Sequence, residues 1–257
     1  EQLFGAEGIR IAASSHTAAI NFIEEVVREH GIDCEFERVD GYLFNAPEQS
    51  VEILKRELDA AHRAGLRDVE LIERAPTEFI TGPCLRFPRQ AQFHPLKYLS
   101  ALARLIEARG GHIFTHTPVG NIRGGSNACV TARNGATVHA QDIVLATNTP
   151  INDVLVIHTK QAPYRTYVVG FEIKEPCAPG LFWDTADPYH YVRCARDGER
   201  EVLIVGGEDH KTGQDDDGTL RFEALEHWTR EHFPQVGAVC YRWSGQVMEP
   251  VDGLAYI

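Results

Sequence analysis

The run that opens Gln92-Phe93-His94-Pro95-Leu96 and closes Asp142-Ile143-Val144-Leu145-Ala146-Thr147-Asn148-Thr149 decides how this chain is read. Leu96, Leu99, Leu102, Ala103, Leu105 and Ile106 recur at helical intervals, so the spacing predicts an amphipathic helix over 96–109. Gly110-Gly111 supplies the left-handed stop for it. His94, before a proline at the start of that helix, fits a capping or hinge role better than acid–base work. Beyond the stop, 112–115 reads as a strand. Val119, 129–133 and 137–139 read as a three-strand meander turned at Gly124-Gly125 and Asn134-Gly135, Asn-Gly being a strong hairpin signal. Ile143-Val144-Leu145-Ala146 reads as a fully buried parallel strand.

Helix, glycine stop, meander and apolar strand into a small-residue turn make the second half of a dinucleotide-binding α/β unit. Working outward, 7–30 is helical by pattern, with Ser14-Ser15-His16 as a candidate interruption. Residues 34–45 read as a strand with a turn inside it. Pro47 is placed to open a second helix, whose apolar face is Val51, Ile53, Leu54, Leu58 and Ala61 and whose stop is Gly65. A short strand at 69–72, a short helix at 75–80 and an edge segment at 85–89 follow, since Pro88 cannot donate to a ladder. Downstream, 164–173, 189–194 and 202–206 are long strands of one large antiparallel sheet. A helix over 220–232 carries Phe222, Leu225 and Trp228, and 239–248 is a further strand. The fold class is therefore α/β plus α+β, a partial Rossmann-like domain joined to an antiparallel-sheet domain. The division expected is 1–91 and 154–240 for the sheet domain, 92–153 for the cofactor-type part, and 241–257 as a strand returning to it.

With 257 residues and 43% hydrophobic content the chain can bury a sizeable core. A formal net charge of -12 argues against a nucleic-acid partner, which needs clustered positive surface. Asp215-Asp216-Asp217, between Gly213 and Gly218, reads as a solvated loop, and Asp209-His210 as part of an exposed glycine-rich loop. The six cysteines are scattered without a C-x-x-C, which suits thiols in a reducing, cytoplasmic compartment. No apolar run approaches the ~20 residues that span a bilayer. No His, Cys and carboxylate set has metal-ligand spacing, so no metal is expected. The chain begins at Glu1 and its only methionine is Met248, which reads as a piece of a longer protein.

Several segments together resemble the D-amino acid oxidase-like superfamily of FAD-dependent oxidoreductases. They are Phe93-His94-Pro95-Leu96 with its helix and Gly110-Gly111, Thr117-Pro118-Val119, Val144-Leu145-Ala146-Thr147-Asn148, Trp243-Ser244-Gly245 and Asp252-Gly253-Leu254-Ala255-Tyr256-Ile257. Arg38-Val39-Asp40-Gly41-Tyr42-Leu43-Phe44 and Gly206-Gly207-Glu208-Asp209-His210 look most like a branch often fused to a Rieske [2Fe-2S] domain. The resemblance implies FAD contacts at Val119, Ala146, Thr147, Asn148, Gly245 and Asp252, and a small amine or amino acid as substrate. Tyr189, Tyr191 and Arg193 alternate on one strand, so all three face one side of the sheet, the side that in the family fronts the flavin. Arg193 is a candidate carboxylate fork, and Tyr164, with Arg165 and Tyr167, a candidate lining of the same pocket. Taken singly, Tyr189, Tyr191 and Arg193 fit a half-buried strand with aromatic packing and a surface arginine slightly better, and an exposed sheet face explains Tyr164, Arg165 and Tyr167 equally well.

Three departures qualify the resemblance. No G-x-G-x-x-G occurs, so the pyrophosphate nest is not in this sequence. Asn148 stands where the family turn has glycine. Gln246-Val247 follows Trp243-Ser244-Gly245 where glycine oxidase-like members carry a carboxylate-binding arginine. The expectation is an inactive, colourless fragment of a flavin oxidoreductase; the alternative is a non-catalytic binding module of the same fold. The kinship is tied to Leu145 and Thr147 lying in a parallel sheet near a terminal strand at Tyr256.

Overall fold

In the computed structural model, residues 3–149, 151, 160–175, 177–213 and 218–254 are described. Asp215-Asp216-Asp217 and Tyr256 lie outside them.

The N-terminal half forms its elements mostly as local chemistry dictates. Helix α1 (Gly5–His30) runs unbroken through Ser14-Ser15-His16. Ser14 and Thr17 turn their hydroxyls back onto the carbonyls of Ile11 and Ala13, which leaves the helix intact. Strand β1 (Glu37–Phe44) is continuous, and the turn expected inside it is only a bulge between Val39 and Gly41. Pro47 sits in a turn, and α2 (Glu52–Arg63) starts later than the proline suggested. Strand β2 (Glu70–Ile72) is followed by bends over 75–80, not by a helix. There the Thr81 hydroxyl accepts from the Ala75 amide and the Thr77 hydroxyl donates to the Phe79 carbonyl. Strand β3 (Cys84–Gln92) pairs with β1 on one side and, over its first residues, with β2 on the other. It is an edge only beyond those residues, and Pro88 falls at the bulge.

Helix α3 (Pro95–Ala108) carries the features its sequence announced. The His94 side chain accepts from the Lys97 amide as N-cap, Gly110 adopts φ 82°, and the Gly111 amide donates to the Ile106 carbonyl. Strands β4 (Val119–Arg123), β5 (Cys129–Ala132) and β6 (Thr137–His139) form the expected meander. Two expectations fail on either side of it. Residues 112–115 are not a strand, and Ile143-Val144-Leu145-Ala146 is irregular and unpaired, with Val144 88% exposed. Leu145 and Thr147 thus lie in no sheet. An apolar run favours burial, yet a parallel strand also needs a neighbour to complete its ladder, and no described strand lies alongside.

The second half builds the main body: β7 (Gln161–Ile173), β8 (Leu181–Asp184), β9 (His190–Asp197), β10 (Arg200–Lys211), α4 (Gly218–His232) and β11 (Val239–Pro250). Eight strands form one sheet in the order β11-β7-β10-β9-β8-β1-β3-β2, antiparallel except for the parallel β1–β8 pair. Strand β11 pairs with β7 along its whole length, so the division drawn at residue 241 falls inside this sheet.

The sheet's two faces differ. Helix α4 covers one, where Leu225, Phe233 and Val236 pack on Tyr42, Phe44, Tyr167, Val169, Phe171, Leu203 and Val205. On the other face α2 covers only the β1–β3–β2 end, through Leu54, Ala61, Val69 and Leu85. The stretch of that face formed by β9, β10, β7 and β11 has no helix over it among the described residues.

Candidate functional site

The uncovered face carries the candidate site. Side chains alternate along a strand, so residues on the face opposite α4 follow from the ladder register. They include Tyr164, Thr166 and Val168 of β7, Tyr191 and Arg193 of β9, Gly206 and, beyond a bulge, Lys211 of β10, and Trp243, Gly245 and Val247 of β11. Tyr189, immediately before β9, adds a ring whose centroid is 6.0 Å from that of Tyr191. Tyr189, just outside β9, stays 41% exposed and Trp243, on the edge strand β11, 45%. Gly206 is obligatory here: a Cβ on it would overlap the Tyr191 ring, which lies across the strand at that point.

A bulge places one further group on this face. Gly207 (φ 141°) and Glu208 (φ 55°) interrupt the β10–β7 register, which resumes at His210 opposite Arg165. Glu208 consequently points to the α4 side, with Oε1 3.5 Å from His190 Nε2 and Oε2 3.2 Å from an Arg221 guanidinium nitrogen. Asp209 turns to the tyrosine side, and His210 returns to the α4 side, its Nε2 3.0 Å from the Tyr167 hydroxyl. Desolvation raises the pKa of the Asp209 carboxyl despite the neighbouring Thr166 hydroxyl and His210. Desolvation and the Asp209 carboxylate together push the Tyr189 phenol up to about 12, and burial likewise raises Tyr191. Asp209-His210 is therefore not an exposed loop. The Gly206-Gly207 doublet inside a strand pattern was the available signal of a bulge.

Of the sequence-derived substrate residues, Tyr189 and Tyr191 lie side by side, and Tyr164 shares their face further along β7. Arg165 and Tyr167 do not join them, because Arg165 alternates to the α4 side and Tyr167 is buried there. Arg193 shares the face but opens into a separate cavity of about 500 Å³, bordered by Glu35, Phe36, Phe93 and His94. Its pKa is lowered by desolvation, with Glu35 opposing. Cys177 and Cys194 border the same cavity and are joined in a disulfide, Cα–Cα 6.4 Å, so these two are not the free thiols expected. Their seventeen-residue separation matches no recognisable motif.

The residues expected at FAD are dispersed. Gly245 lies on the tyrosine face opposite Thr166, with open space above it. Val119 is in the small meander and 42% exposed. Ala146, Thr147 and Asn148 are exposed in the unpaired segment, where Asn148 takes φ 64° and so keeps the left-handed turn a glycine would make. Asp252 accepts from the Leu254 amide and borders a cleft with Leu3 and Phe4. On the α4 side, sequence reading also missed His190, buried with Nδ1 2.8 Å from Asp184 Oδ2 and stacked on Trp228 at 4.4 Å. No group of three or more metal-ligating side chains occurs among the described residues, and no described helix is long and apolar enough to cross a membrane.

The chain thus presents a large sheet with one packed face and one open, tyrosine-lined face, next to a small meander. The chain belongs to the family of FAD dependent oxidoreductases, whose model matches residues 5–257. Glycine oxidase from Geobacillus kaustophilus superposes with TM-score 0.75 at 18% identity, over 95% of this chain and 68% of that one. L-proline dehydrogenase from P. horikoshii superposes with TM-score 0.71 at 15% identity, over 92% and 67%. In sequence, the chain is 28% identical over 255 residues to a putative Rieske 2Fe-2S iron-sulfur protein, YhfW, of Bacillus subtilis (strain 168), covering 99% of this chain and 50% of that protein. The chain thus spans about half the length of that curated relative. The kinship stands on the whole length of the chain, and the unpaired 143–146 segment does not overturn it.

The residues present fit one part of FAD and not another. The open face offers aromatic rings and, at Gly245, a position with no side chain, which suits a planar ring system. The glycine-rich turn that would hold the pyrophosphate is not in the sequence.

Proposed function

We propose that this chain is the substrate-binding part of an FAD-dependent oxidoreductase that oxidises the C–N bond of a small amine or amino acid to an imine. The observation that supports this reading is the uncovered sheet face shared by Tyr164, Tyr189, Tyr191 and Gly245. When bound, the flavin supplies a two-electron acceptor for the hydride leaving the carbon next to nitrogen.

The chain's own residues bind and orient. Tyr191 is held flat over Gly206 and gives a rigid floor. Tyr189 has a phenol that stays protonated at neutral pH, so it can donate a hydrogen bond to a substrate polar atom. Val119, Ala146, Thr147, Asn148 and Asp252 are proposed cofactor contacts. In this reading 92–153 leads toward the dinucleotide domain, and a Rieske domain elsewhere in the parent protein is the proposed electron acceptor, by likeness to YhfW.

The test is anaerobic mixing of the full-length, FAD-loaded protein with panels of amines and amino acids. Bleaching of the flavin's visible absorbance by members of a panel supports the reading. A flavin that no amine or amino acid reduces, with the tyrosine face intact, refutes it and favours the binding module.

A further inference from the structure

We infer that His190 and Glu208, on the packed side of the sheet, are positioning residues that set the spacing of Tyr189 and Asp209 on its open side. This deepens the proposed function, and the purpose of the spacing rests on that reading.

The chain itself supplies the link. His190 follows Tyr189 and Glu208 precedes Asp209, so each member of the hidden pair is one peptide bond from a group on the open face. His190 turns to the α4 side, while the Tyr189 ring lies beside that of Tyr191. The bulge divides Glu208 and Asp209 in the same way, Glu208 meeting His190 and Arg221, and Asp209 lying against the Thr166 hydroxyl. Strands β9 and β10 are neighbours with His190 opposite Gly207, which brings the two linking peptides side by side.

The hidden pair is held at both ends. His190 Nδ1 is 2.8 Å from Asp184 Oδ2, and the His190 amide donates to Asp184 Oδ1 at 2.9 Å. Its ring stacks on Trp228 at 4.4 Å, and Trp228 stacks in turn on His232 at 4.2 Å. The other ring nitrogen, Nε2, is 3.5 Å from Glu208 Oε1, and Glu208 Oε2 is 3.2 Å from the Arg221 guanidinium. Asp184, His190, Glu208 and Arg221 therefore tie β8, β9, β10 and α4 into one line.

The backbone of Glu208 needs such holding. At φ 55° it lies in the left-handed region, which is costly for a residue with a side chain. Gly207, at φ 141°, lets the strands close up: a Cβ there would stand 2.1 Å from the Tyr189 carbonyl oxygen. Tyr189 is thus pressed against the bulge and follows its movement. If the extra residue slipped back into regular pairing, Glu208 would face the tyrosines, and Asp209 and Lys211 would swing to the α4 side.

On the open face the result is a coupled pair. Desolvation first, and then the Asp209 carboxylate, raise the Tyr189 phenol to about 12, with Tyr191 and Glu249 contributing less. Lys211 shares the face two residues beyond Asp209, opposite Tyr164. The acidity of Tyr189, and with it the hydrogen bond it donates, depends on where Asp209 stands.

The test is a titration, by fluorine NMR, of full-length FAD-loaded protein with 3-fluorotyrosine in place of Tyr189. The fluorinated phenol ionises at lower pH than tyrosine, which keeps the titration clear of alkaline unfolding. Asp209→Asn removes the neighbouring charge and should raise the phenol's ionisation constant about tenfold. Glu208→Gln should raise it about threefold, and so should Glu208→Asp, which keeps the charge and shortens the side chain. Combined with Asp209→Asn, either Glu208 change should add little, because its effect passes through Asp209. A Glu208→Gln effect as large in the Asp209→Asn background as in the parent overturns the inference, since it marks a direct charge effect. So do folded Glu208 variants that lower Tm and leave the ionisation constant unmoved, which mark a purely structural role. The two Glu208 variants differ in charge and in length, so failure of one to fold leaves the other to decide. The titration needs no turnover: a flavin that no amine reduces would strike the proposed reaction and leave this coupling standing.

Discussion

The two faces of the eight-stranded sheet are made by the same strands, yet they solve different problems. On the α4 side the central positions of the sheet are aliphatic or aromatic and buried: Val169, Phe171 and Val205 are fully inaccessible. Its polar groups are paired, His190 with Asp184 and Glu208 with Arg221. On the tyrosine side Tyr164, Tyr191 and Arg193 are only partly buried, Trp243 and Val247 are 45% exposed, and the Thr166 hydroxyl lies against the Asp209 carboxyl. The first face was built to close on its own helix. The second is complete only with something laid against it, and that difference locates function more surely than any single residue does.

Truncation should separate the faces most strongly. Phe171→Ala removes a fully buried ring beneath α4 and should cost about 3–5 kcal/mol, whereas Trp243→Ala on the open face should cost under about 1 kcal/mol, both read from denaturant unfolding. Equal losses would break the comparison. Asp184→Ala leaves buried His190 without its Nδ1 partner and two backbone amides without their acceptor, and should cost about 3 kcal/mol. Gly206→Ala should cost about 1–3 kcal/mol by overpacking, and it should displace Tyr191 and weaken ligand binding more than it lowers stability.

The smallest effect sharpens the contrast through pH. The Asp209 carboxyl has its pKa raised above the ordinary 3.8 in the folded protein, so the native state holds this proton more tightly than the unfolded chain. Stability from this group is fully present below pH 3.8, falls as pH rises toward the raised value, and is then lost. Asp209→Asn should therefore flatten the pH–stability curve in that window and raise Tm slightly at neutral pH. A variant less stable than the parent at neutral pH would show that the carboxylate supports the fold and not the ligand.

Much of the fold was legible where one physical rule acted alone. The leucine stripe of α3 with His94 before it and Gly110-Gly111 after it, the Asn134-Gly135 turn, and the alternating strands of β7, β9 and β10 all follow from local pattern. Reading failed where a second requirement intervened. Ile143-Val144-Leu145-Ala146 had the composition of a buried strand but no adjacent ladder. Residues 75–80 were expected as a short helix, but a segment this short forms few helical bonds, and the chain bends there instead. Pro47 suited a helix start and instead made a turn before one. At the site, strand alternation correctly grouped Tyr189 and Tyr191. Asp209 was missed because a bulge reverses the parity of everything after it, and parity is invisible until the Gly206-Gly207 doublet is recognised as its cause. The Cys177–Cys194 bridge was missed because it depends on β9 passing a loop that no local pattern places there.

The central claim is that the uncovered face, and not the α4 face, meets the flavin ring. The most direct measurement is photolabelling of the full-length apoprotein with an FAD analogue bearing an arylazide on its isoalloxazine ring, followed by peptide mapping. Adducts on the peptides carrying Tyr164, Tyr189, Tyr191 or Trp243, suppressed by excess FAD, are the predicted result. Adducts confined to α4 or to the β4–β5–β6 meander, with those four residues unlabelled, would contradict it.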